Sequence, residues 1–220
     1  MAAIEQMINN VDTKNQSGYV LEYRQRILSK ARVQVNNGAI VLNIGCGEGW
    51  DNIDFAQNAK LAVGIDIEPS YVWNNIENDK IKFIKSDAQM LPFKSNSFDV
   101  IFIKDVLHHL DSPSAVLEEI QRITKNNGIM YFIEANRYNP ISYLHMTLMR
   151  GHNHLSQKCF KRLVSGLAKD CELIYTETHV FPFRSSAVRK TLNEIEDLLE
   201  RVVCLRKFLS YNIAVVKKEA

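Results

Sequence analysis

Three glycines, Gly45, Gly47 and Gly49, follow directly on the short apolar run Ile40–Ile44. An apolar run this short predicts a strand buried on both faces, as in a parallel sheet. Glycine lets the backbone turn tightly and approach a ligand because no Cβ intervenes. The first amide groups of a following helix would also point at that ligand. The spacing therefore predicts a loop that binds a nucleotide-type cofactor.

Two carboxylates stand at the ends of later predicted strands. Asp66 closes the apolar run 61–67, and Asp87 follows the run 81–85. Ligands of open parallel sheets lie beyond the carboxyl ends of the strands, and an acid about 20 residues past a glycine loop can accept both hydroxyls of a ribose. These two residues therefore predict the ribose and base ends of the cofactor.

The glycine spacing argues against dinucleotides. The G-x-G-x-x-G fingerprint needs glycine or alanine where Trp50 stands, and the third glycine of this chain comes one position earlier. A G-x-x-x-x-G-K-[ST] phosphate loop is also absent from the sequence. NAD and FAD are therefore disfavoured.

The elements around these residues alternate between strand and helix, which predicts right-handed βαβ units. The expected fold is α/β, a doubly wound and mostly parallel seven-stranded sheet with helices on both faces. Strands are predicted at 39–44, 61–67, 81–85, 98–103, 129–134, 172–181 and 210–216, and helices at 19–35, 48–59, 113–124, 140–150, 157–168 and 186–208.

The length of 220 residues predicts one domain, 1–220, with a core at about 38–135, substrate-side helices at about 136–170 and a closing strand-helix-strand unit at about 171–217. The charge balance, 27 − 25 = +2, does not indicate nucleic-acid binding. Scattered cysteines predict a reducing cytoplasm. Without a signal peptide or a long apolar stretch, no membrane span is expected. The oligomeric state stays open.

In these features the chain resembles the class I S-adenosylmethionine-dependent methyltransferases, most of all their small-molecule (type 11-like) subgroup. The resemblance implies a Rossmann-like sheet, S-adenosyl-L-methionine as methyl donor and S-adenosyl-L-homocysteine as product. The matching motifs, in chain order over about 40–135, are V-L-N-I-G-C-G-E-G, G-I-D-I-E-P, S-D-A-Q-M-L-P-F-K-S-N-S-F-D-V-I, F-I-K-D-V-L-H-H-L and L-E-E-I-Q-R-I-T-K-N-N-G-I-M.

The same resemblance implies the cofactor contacts. In similar enzymes the leading helix covers the cofactor, so Tyr23 is expected at its carboxylate end, although packing on the sheet is the alternative. Asn43 stands where the family usually has Asp or Glu, and it lacks their charge near the cofactor's ammonium group. The remaining expected contacts are Gly45, Cys46 and Gly47 at the methionine part, Asp66 and Ile67 at the ribose and adenine, Asp87 and Ala88 at the adenine edge, and Lys104 on the sulfonium side.

Methyl transfer to a hydroxyl is helped by a general base, most often a histidine. His109, in the pair that follows the fourth strand, is expected to face the substrate as this base, and His108 to be structural; the alternative is that one of them only packs or caps the turn. Glu134 is expected to line the site or to pair with Arg137. The H-x-H motif ending at His154 has no third ligand, so a solvated loop and no metal are expected.

Residues 136–169 contain no Asp or Glu. A positive rim favours a small anionic or glycan-type acceptor, and E-A-N-R-Y-N-P is similar to methyltransferases among surface-polysaccharide enzymes; a solvated basic face is the alternative. O-methylation is expected. C- or N-methylation of a quinone-like metabolite and a non-catalytic cofactor-binding module remain alternatives. The segment's cations are Arg137, Arg150, Lys158, Lys161, Arg162 and Lys169.

Overall fold

The computed structural model describes residues 18–144 and 154–219. The strands are β1 (Ile40–Ile44), β2 (Leu61–Asp66), β3 (Ile81–Lys85), β4 (Phe98–Lys104), β5 (Thr124–Ala135), β6 (Cys171–Thr176) and β7 (Tyr211–Lys217). The α-helices are α1 (Gly18–Lys30), α2 (Trp50–Ala56), α3 (Pro113–Ile123), α4 (Pro140–Ser142), α5 (Gln157–Val164) and α6 (Ser186–Arg201). Single 3₁₀ segments span Tyr71–Asn75, Leu107–His109 and Val203–Phe208.

One seven-stranded sheet has the strand order β3-β2-β1-β4-β5-β7-β6. Strands β1 to β5 are parallel, whereas β7 runs antiparallel to both β5 and β6. This arrangement confirms the predicted Rossmann-like, mostly parallel sheet. The order reverses between β1 and β4, so the crevice for a ligand opens at the carboxyl ends of these strands. We call the end of the sheet formed by the carboxyl ends of β1 to β5 the cofactor edge.

Two apolar layers cover the sheet, because alternate residues of a buried strand face opposite sides. Leu42 packs in the layer that holds α3 and α5, and Val41 in the layer that holds α1 and α2. Both side chains are fully buried, as the apolar run predicts. Burial on both faces holds the glycine turn in place at the end of β1.

Some element bounds differ from the sequence-based expectations. The predicted helix 186–208 ends at Arg201, and Val203–Phe208 continues as a 3₁₀ segment. The helix ends where the backbone of Val202 is extended (φ −85, ψ 100), and the carbonyl groups of Lys207 and Phe208 accept hydrogen bonds from the Asn136 and Asn139 side chains. The strand β5 begins at Thr124, five positions earlier than the predicted 129 (129 − 124 = 5). Most of the predicted helix 140–150 and the segment 1–17 lie outside the described residues.

No helix in residues 18–144 or 154–219 combines the length and apolarity needed to cross a bilayer.

Candidate functional site

The glycine turn after β1 requires glycine at its first position. Gly45 has φ +69, and a Cβ at this position would lie 2.2 Å from Cγ2 of Val106. Gly47 has φ +52, but a Cβ there would meet no atom within 4 Å. The indole Nε1 of Trp73 donates to the carbonyl oxygen of Gly47 at 2.7 Å. The turn therefore packs tightly at Gly45 and leaves open space above Gly47.

Asp66, at the end of β2, fixes the turn. Its Oδ2 accepts a hydrogen bond from the Gly47 amide at 2.8 Å, and its Oδ1 accepts one from the Glu68 amide at 3.1 Å. An ionised carboxylate has about four lone-pair positions, so the side chain keeps capacity for ligand hydroxyl groups. Asp66 thus links the glycine turn to the edge of β2.

A cavity of about 490 Å³ opens at the cofactor edge. The structure brings six of the predicted site residues to its wall: Gly45, Asp66, Ile67, Asp87, Ala88 and His109. Asp105, Val106, Leu110 and Asp111, which follow β4, complete the wall on the far side. A second cavity, of about 670 Å³, lies at the opposite end of the sheet beside Lys169 and contains none of the predicted site residues.

Tyr23 and Lys104 lie behind this cavity, on the side of α1. The hydroxyl of Tyr23 is 2.5 Å from that of Tyr211, and the Lys104 ammonium lies 5.7 Å from the centroid of the Tyr23 ring. Lys104 forms an ion pair with Asp105 at 2.9 Å. Burial would lower the pKa of Lys104, but the charge and hydrogen bond of Asp105 together with Tyr23 and Asp51 outweigh it and raise that pKa. The predicted cofactor contacts of Tyr23 and Lys104 stay predictions.

Cys46 also lies outside the cavity wall. Burial, and then the nearby Asp66 carboxylate, raises the pKa of its thiol to about 12. The side chain is therefore a neutral thiol at physiological pH and not a nucleophile. Its predicted contact with the cofactor, like that of Gly47, stays a prediction.

Asn43 is buried at the end of β1. Its Nδ2 donates to Oδ1 of Asn52 in α2 at 2.8 Å. Both side chains are almost completely inaccessible to solvent. An amide pair therefore occupies the position where the family usually has a carboxylate.

The two histidines after β4 differ in exposure and in contacts. His109 is exposed and lines the cavity, whereas the His108 side chain is only 3% exposed. His108 Nδ1 donates to Oε2 of Glu134 at 2.7 Å. Burial would lower the pKa of His108, but the hydrogen bond and charge of Glu134 outweigh it and raise that pKa. His108 is thus in contact with a buried carboxylate, and His109 with the cavity.

The prediction for Glu134 was wrong. Glu134 neither lines the cavity nor pairs with Arg137, because its side chain is buried and directed at the turn after β4. Its Oε1 accepts from the amides of Val106 at 2.9 Å and Leu107 at 2.6 Å. The one sequence feature that could have predicted the contact with His108 is the position of Glu134 at the end of β5. This position predicts the contact only when β4 and β5 are known to be neighbours.

His154 also differs from expectation. It is 4% exposed instead of lying in a solvated loop, and its ring centroid is 4.4 Å from that of His108. The ring of His108 in turn lies 4.0 Å from that of His109. In the ranges 18–144 and 154–219, no group of three His, Cys, Asp or Glu residues has the arrangement of a metal site. His152, the other member of the motif, lies outside those ranges.

Residues 42–132 match the family of methyltransferase domains, and this stretch contains the glycine turn, both cavity carboxylates and the histidine pair. The chain belongs to the class I S-adenosylmethionine-dependent methyltransferases.

The relatives of this methyltransferase are distant. An uncharacterised protein of Methanocaldococcus jannaschii is 28% identical over 200 residues, which cover 90% of this chain and 72% of that protein. The sterol 4-C-methyltransferase strm-1 of Caenorhabditis elegans is 28% identical over 138 residues, and the match spans 40% of its length. The solved S-adenosylmethionine-dependent methyltransferase of Mesorhizobium loti has a TM-score of 0.65 over 91% of this chain and 100% of that one, at 14% identity. This last likeness shows a shared fold.

The residues at the cofactor edge of this methyltransferase fit S-adenosylmethionine. The open space above Gly47 admits a ligand against the backbone, and a side chain would fill it. Asp66 and Asp87 offer acceptors for ribose hydroxyls and amino groups at one end of the cavity. When bound, the cofactor supplies an electrophilic methyl group on a sulfonium.

Proposed function

We propose that this methyltransferase transfers the methyl group to an oxygen atom of a small anionic or glycan-type acceptor. The observation that carries the proposal is the exposed imidazole of His109 on the wall of the cofactor-edge cavity. An exposed imidazole is a common general base, because it can accept a proton from a hydroxyl in its neutral form.

In the proposed mechanism, Asp66 and Asp87 orient the cofactor, and the wall after β4 positions the acceptor. His109 would accept the proton of the acceptor hydroxyl, and the bound cofactor would supply the methyl group by cleavage of its carbon–sulfur bond, which leaves S-adenosylhomocysteine as the neutral product. Alignment of the reacting atoms and exclusion of water supply most of the acceleration, because the reactive methyl group belongs to the cofactor. The contact of His108 with Glu134 keeps the turn that holds His109 in one orientation.

The charge of the segment after β5 supports an anionic acceptor. Arg137, Lys158, Lys161 and Arg162 are all exposed in this segment. Together they would attract carboxylate or phosphate groups, and their planar or ammonium donors suit both.

Three measurements test the proposal. Calorimetry should detect S-adenosylhomocysteine binding and no NAD binding. Methyl transfer from labelled S-adenosylmethionine should then be faster to an anionic hydroxyl compound than to its neutral counterpart, and equal turnover of both would contradict the acceptor class. The variant His109→Gln should retain affinity for S-adenosylhomocysteine but lose about a hundredfold in kcat, the range of a general base. An unchanged kcat would exclude this role for His109.

C-methylation is the second candidate, and the match to a sterol 4-C-methyltransferase favours it. N-methylation of a metabolite and a non-catalytic cofactor-binding role are weaker candidates. The only support for the non-catalytic role is that Asn43 lacks the usual charge. The carbon-13 shift of a methyl group transferred from labelled cofactor separates O-, N- and C-methyl products. A cytoplasmic location is also proposed, since all four cysteines are free.

A further inference from the structure

Two chain segments that are distant in sequence form one surface beside the cofactor edge. Asn136 Nδ2 donates to the carbonyl of Lys207 at 2.9 Å, and Asn139 Nδ2 donates to that of Phe208 at 2.9 Å. The Lys207 ammonium lies 5.6 Å from the centroid of the Tyr138 ring. Segments 136–144 and 201–209 are therefore in direct contact.

The position of this surface is fixed by the sheet. Ala135 at the end of β5 pairs with Tyr211 at the start of β7. The segment after Ala135 and the segment before Tyr211 therefore both leave the sheet at its cofactor edge. The surface therefore lies on the side of the molecule where the acceptor must enter.

Large apolar side chains are exposed on this surface. Ile141 is 60% exposed, Val203 69%, Tyr138 47% and Phe208 45%. Side chains of this size are usually covered, and a group of them on one surface marks an interaction site. We call these four residues, with the cations Arg137, Arg201, Arg206 and Lys207, the basic apolar surface.

The charge of the basic apolar surface has one sign. Segments 136–144 and 201–209 contain no Asp or Glu, and the four cations are exposed. Among the residues that the structure describes, these cations form no ion pair. The positive charge is therefore uncompensated by the described part of the protein.

Three of the four acids of the preceding helix face away from this surface, and the fourth, Glu194, lies seven positions before Arg201. Glu196 pairs with Arg26, and Asp197 and Glu200 pair with Lys30, so these carboxylates of α6 are directed at α1. These carboxylates neutralise Arg26 and Lys30 of α1. Arg201, in the last turn of α6, then adds a positive charge to the basic apolar surface.

We propose that the basic apolar surface docks this methyltransferase on an anionic phospholipid bilayer. Exposed apolar and aromatic side chains enter the interface between headgroups and acyl chains, and neighbouring cations bind the anionic headgroups. A second copy of this chain is a poorer partner, because a two-fold interface would place the cations of one copy against those of the other. A membrane-bound acceptor then meets the cofactor edge directly. The inference rests on the proposed function only for this last step.

Sedimentation of the full-length protein with vesicles tests the docking without any turnover. Vesicles of phosphatidylcholine with phosphatidylglycerol should bind it at least about tenfold more tightly than vesicles of phosphatidylcholine alone, because each surface cation contributes about 1 kcal/mol with anionic lipid. High salt should abolish the difference. Absence of binding to the anionic vesicles would overturn the proposal.

Matched variants locate the docking surface. The triple variant Arg201→Gln/Arg206→Gln/Lys207→Gln should weaken binding to anionic vesicles at least about tenfold. Lys82→Gln/Lys85→Gln/Lys94→Gln removes the same number of exposed cations, two from β3 at the far side of the sheet and one from the loop before β4, and should leave binding unchanged. Equal losses in both triples would show attraction by net charge alone and contradict the proposal.

A third variant tests the apolar side chains. Ile141→Ser/Val203→Ser should also weaken vesicle binding severalfold, and light scattering should show the same molar mass as for the unaltered protein. A dimer that this variant dissociates, without vesicle binding, would assign the surface to a second copy instead. Calorimetry with S-adenosylhomocysteine should give equal affinity for all variants, so a failure of docking is distinguishable from a failure of the cofactor site.

Discussion

The amide of Asn43 donates to Oδ1 of Asn52 at 2.8 Å and so joins the end of β1 to the first turn of α2. The Nδ2 atom of Asn52 is buried and has no hydrogen-bond partner within residues 18–144 and 154–219. A neutral amide pair with a spare donor thus replaces the carboxylate usual at this position of the family.

The substitution Asn43→Asp should increase the affinity for S-adenosylmethionine. The new carboxylate would accept a hydrogen bond from Asn52 and place a negative charge near the cofactor's ammonium group. A gain of about 1 kcal/mol, or roughly fivefold in Kd, is expected from the attraction between this carboxylate and the ammonium group. Calorimetry measures it, with 5′-methylthioadenosine as the control because this ligand has no ammonium group. An equal gain for both ligands would exclude the charge as its cause.

The substitutions Gly45→Ala and Gly47→Ala should separate packing from ligand contact. A Cβ at Gly45 collides with Val106 and stands on a left-handed backbone, so the cofactor-free protein should lose about 2–5 kcal/mol of unfolding free energy, of which Val106→Ala should restore the share due to the overlap. A Cβ at Gly47 meets open space, so this variant should lose only the roughly 1–2 kcal/mol of the left-handed backbone but bind S-adenosylhomocysteine poorly. Chemical denaturation and calorimetry measure the two effects. If Val106→Ala does not restore the Gly45 variant, steric overlap is not the cause.

The substitution Glu134→Gln should destabilise the turn that carries His109. The Gln carbonyl oxygen still accepts from the Val106 and Leu107 amides, but the negative charge beside the buried His108 imidazole is lost, which costs about 3 kcal/mol while His108 is protonated. The pKa of His108 is raised in the folded protein, so the stabilisation is fully present below about pH 6.5 and is lost as the pH rises through the folded-state value. Denaturation across this range should show that the difference in unfolding free energy between the two proteins decreases as the pH rises. A constant gap would mean that His108 does not titrate in contact with Glu134.

The ion pair of Glu22 with Arg189 should stabilise the fold at neutral pH and lose this contribution in acid. The hydrogen bond from Arg189, 2.7 Å long, outweighs burial and lowers the pKa of Glu22. A lowered pKa stabilises the fold above the ordinary Glu value, and this contribution is lost as the pH falls through the folded-state value. Because the pair is partly exposed, Glu22→Gln should cost less than about 1 kcal/mol at neutral pH and nothing in strong acid. Thermal melts at both pH values measure the difference, and a larger cost in acid would contradict the pairing.

Local sequence determined the strands and the residues at their ends. The apolar run 40–44 and the glycines after it depend only on neighbours in the chain. Asp66 and Asp87 were predictable as wall residues because the carboxyl ends of parallel strands meet at one edge whatever their order. His109 followed in the same way, since it lies just after β4.

Tertiary structure alone decided which distant side chains meet. Glu134 contacts His108, and not Arg137, because β5 lies beside β4 in the sheet. The helix predicted over 186–208 ends at Arg201, and the 3₁₀ segment after it is held by hydrogen bonds from Asn136 and Asn139 to the carbonyl groups of Lys207 and Phe208. Hydrophobic periodicity specifies which face of an element is buried, but not which element covers it. The strand order, which brings β5 between β4 and β7, assembles both the His108 contact and the basic apolar surface.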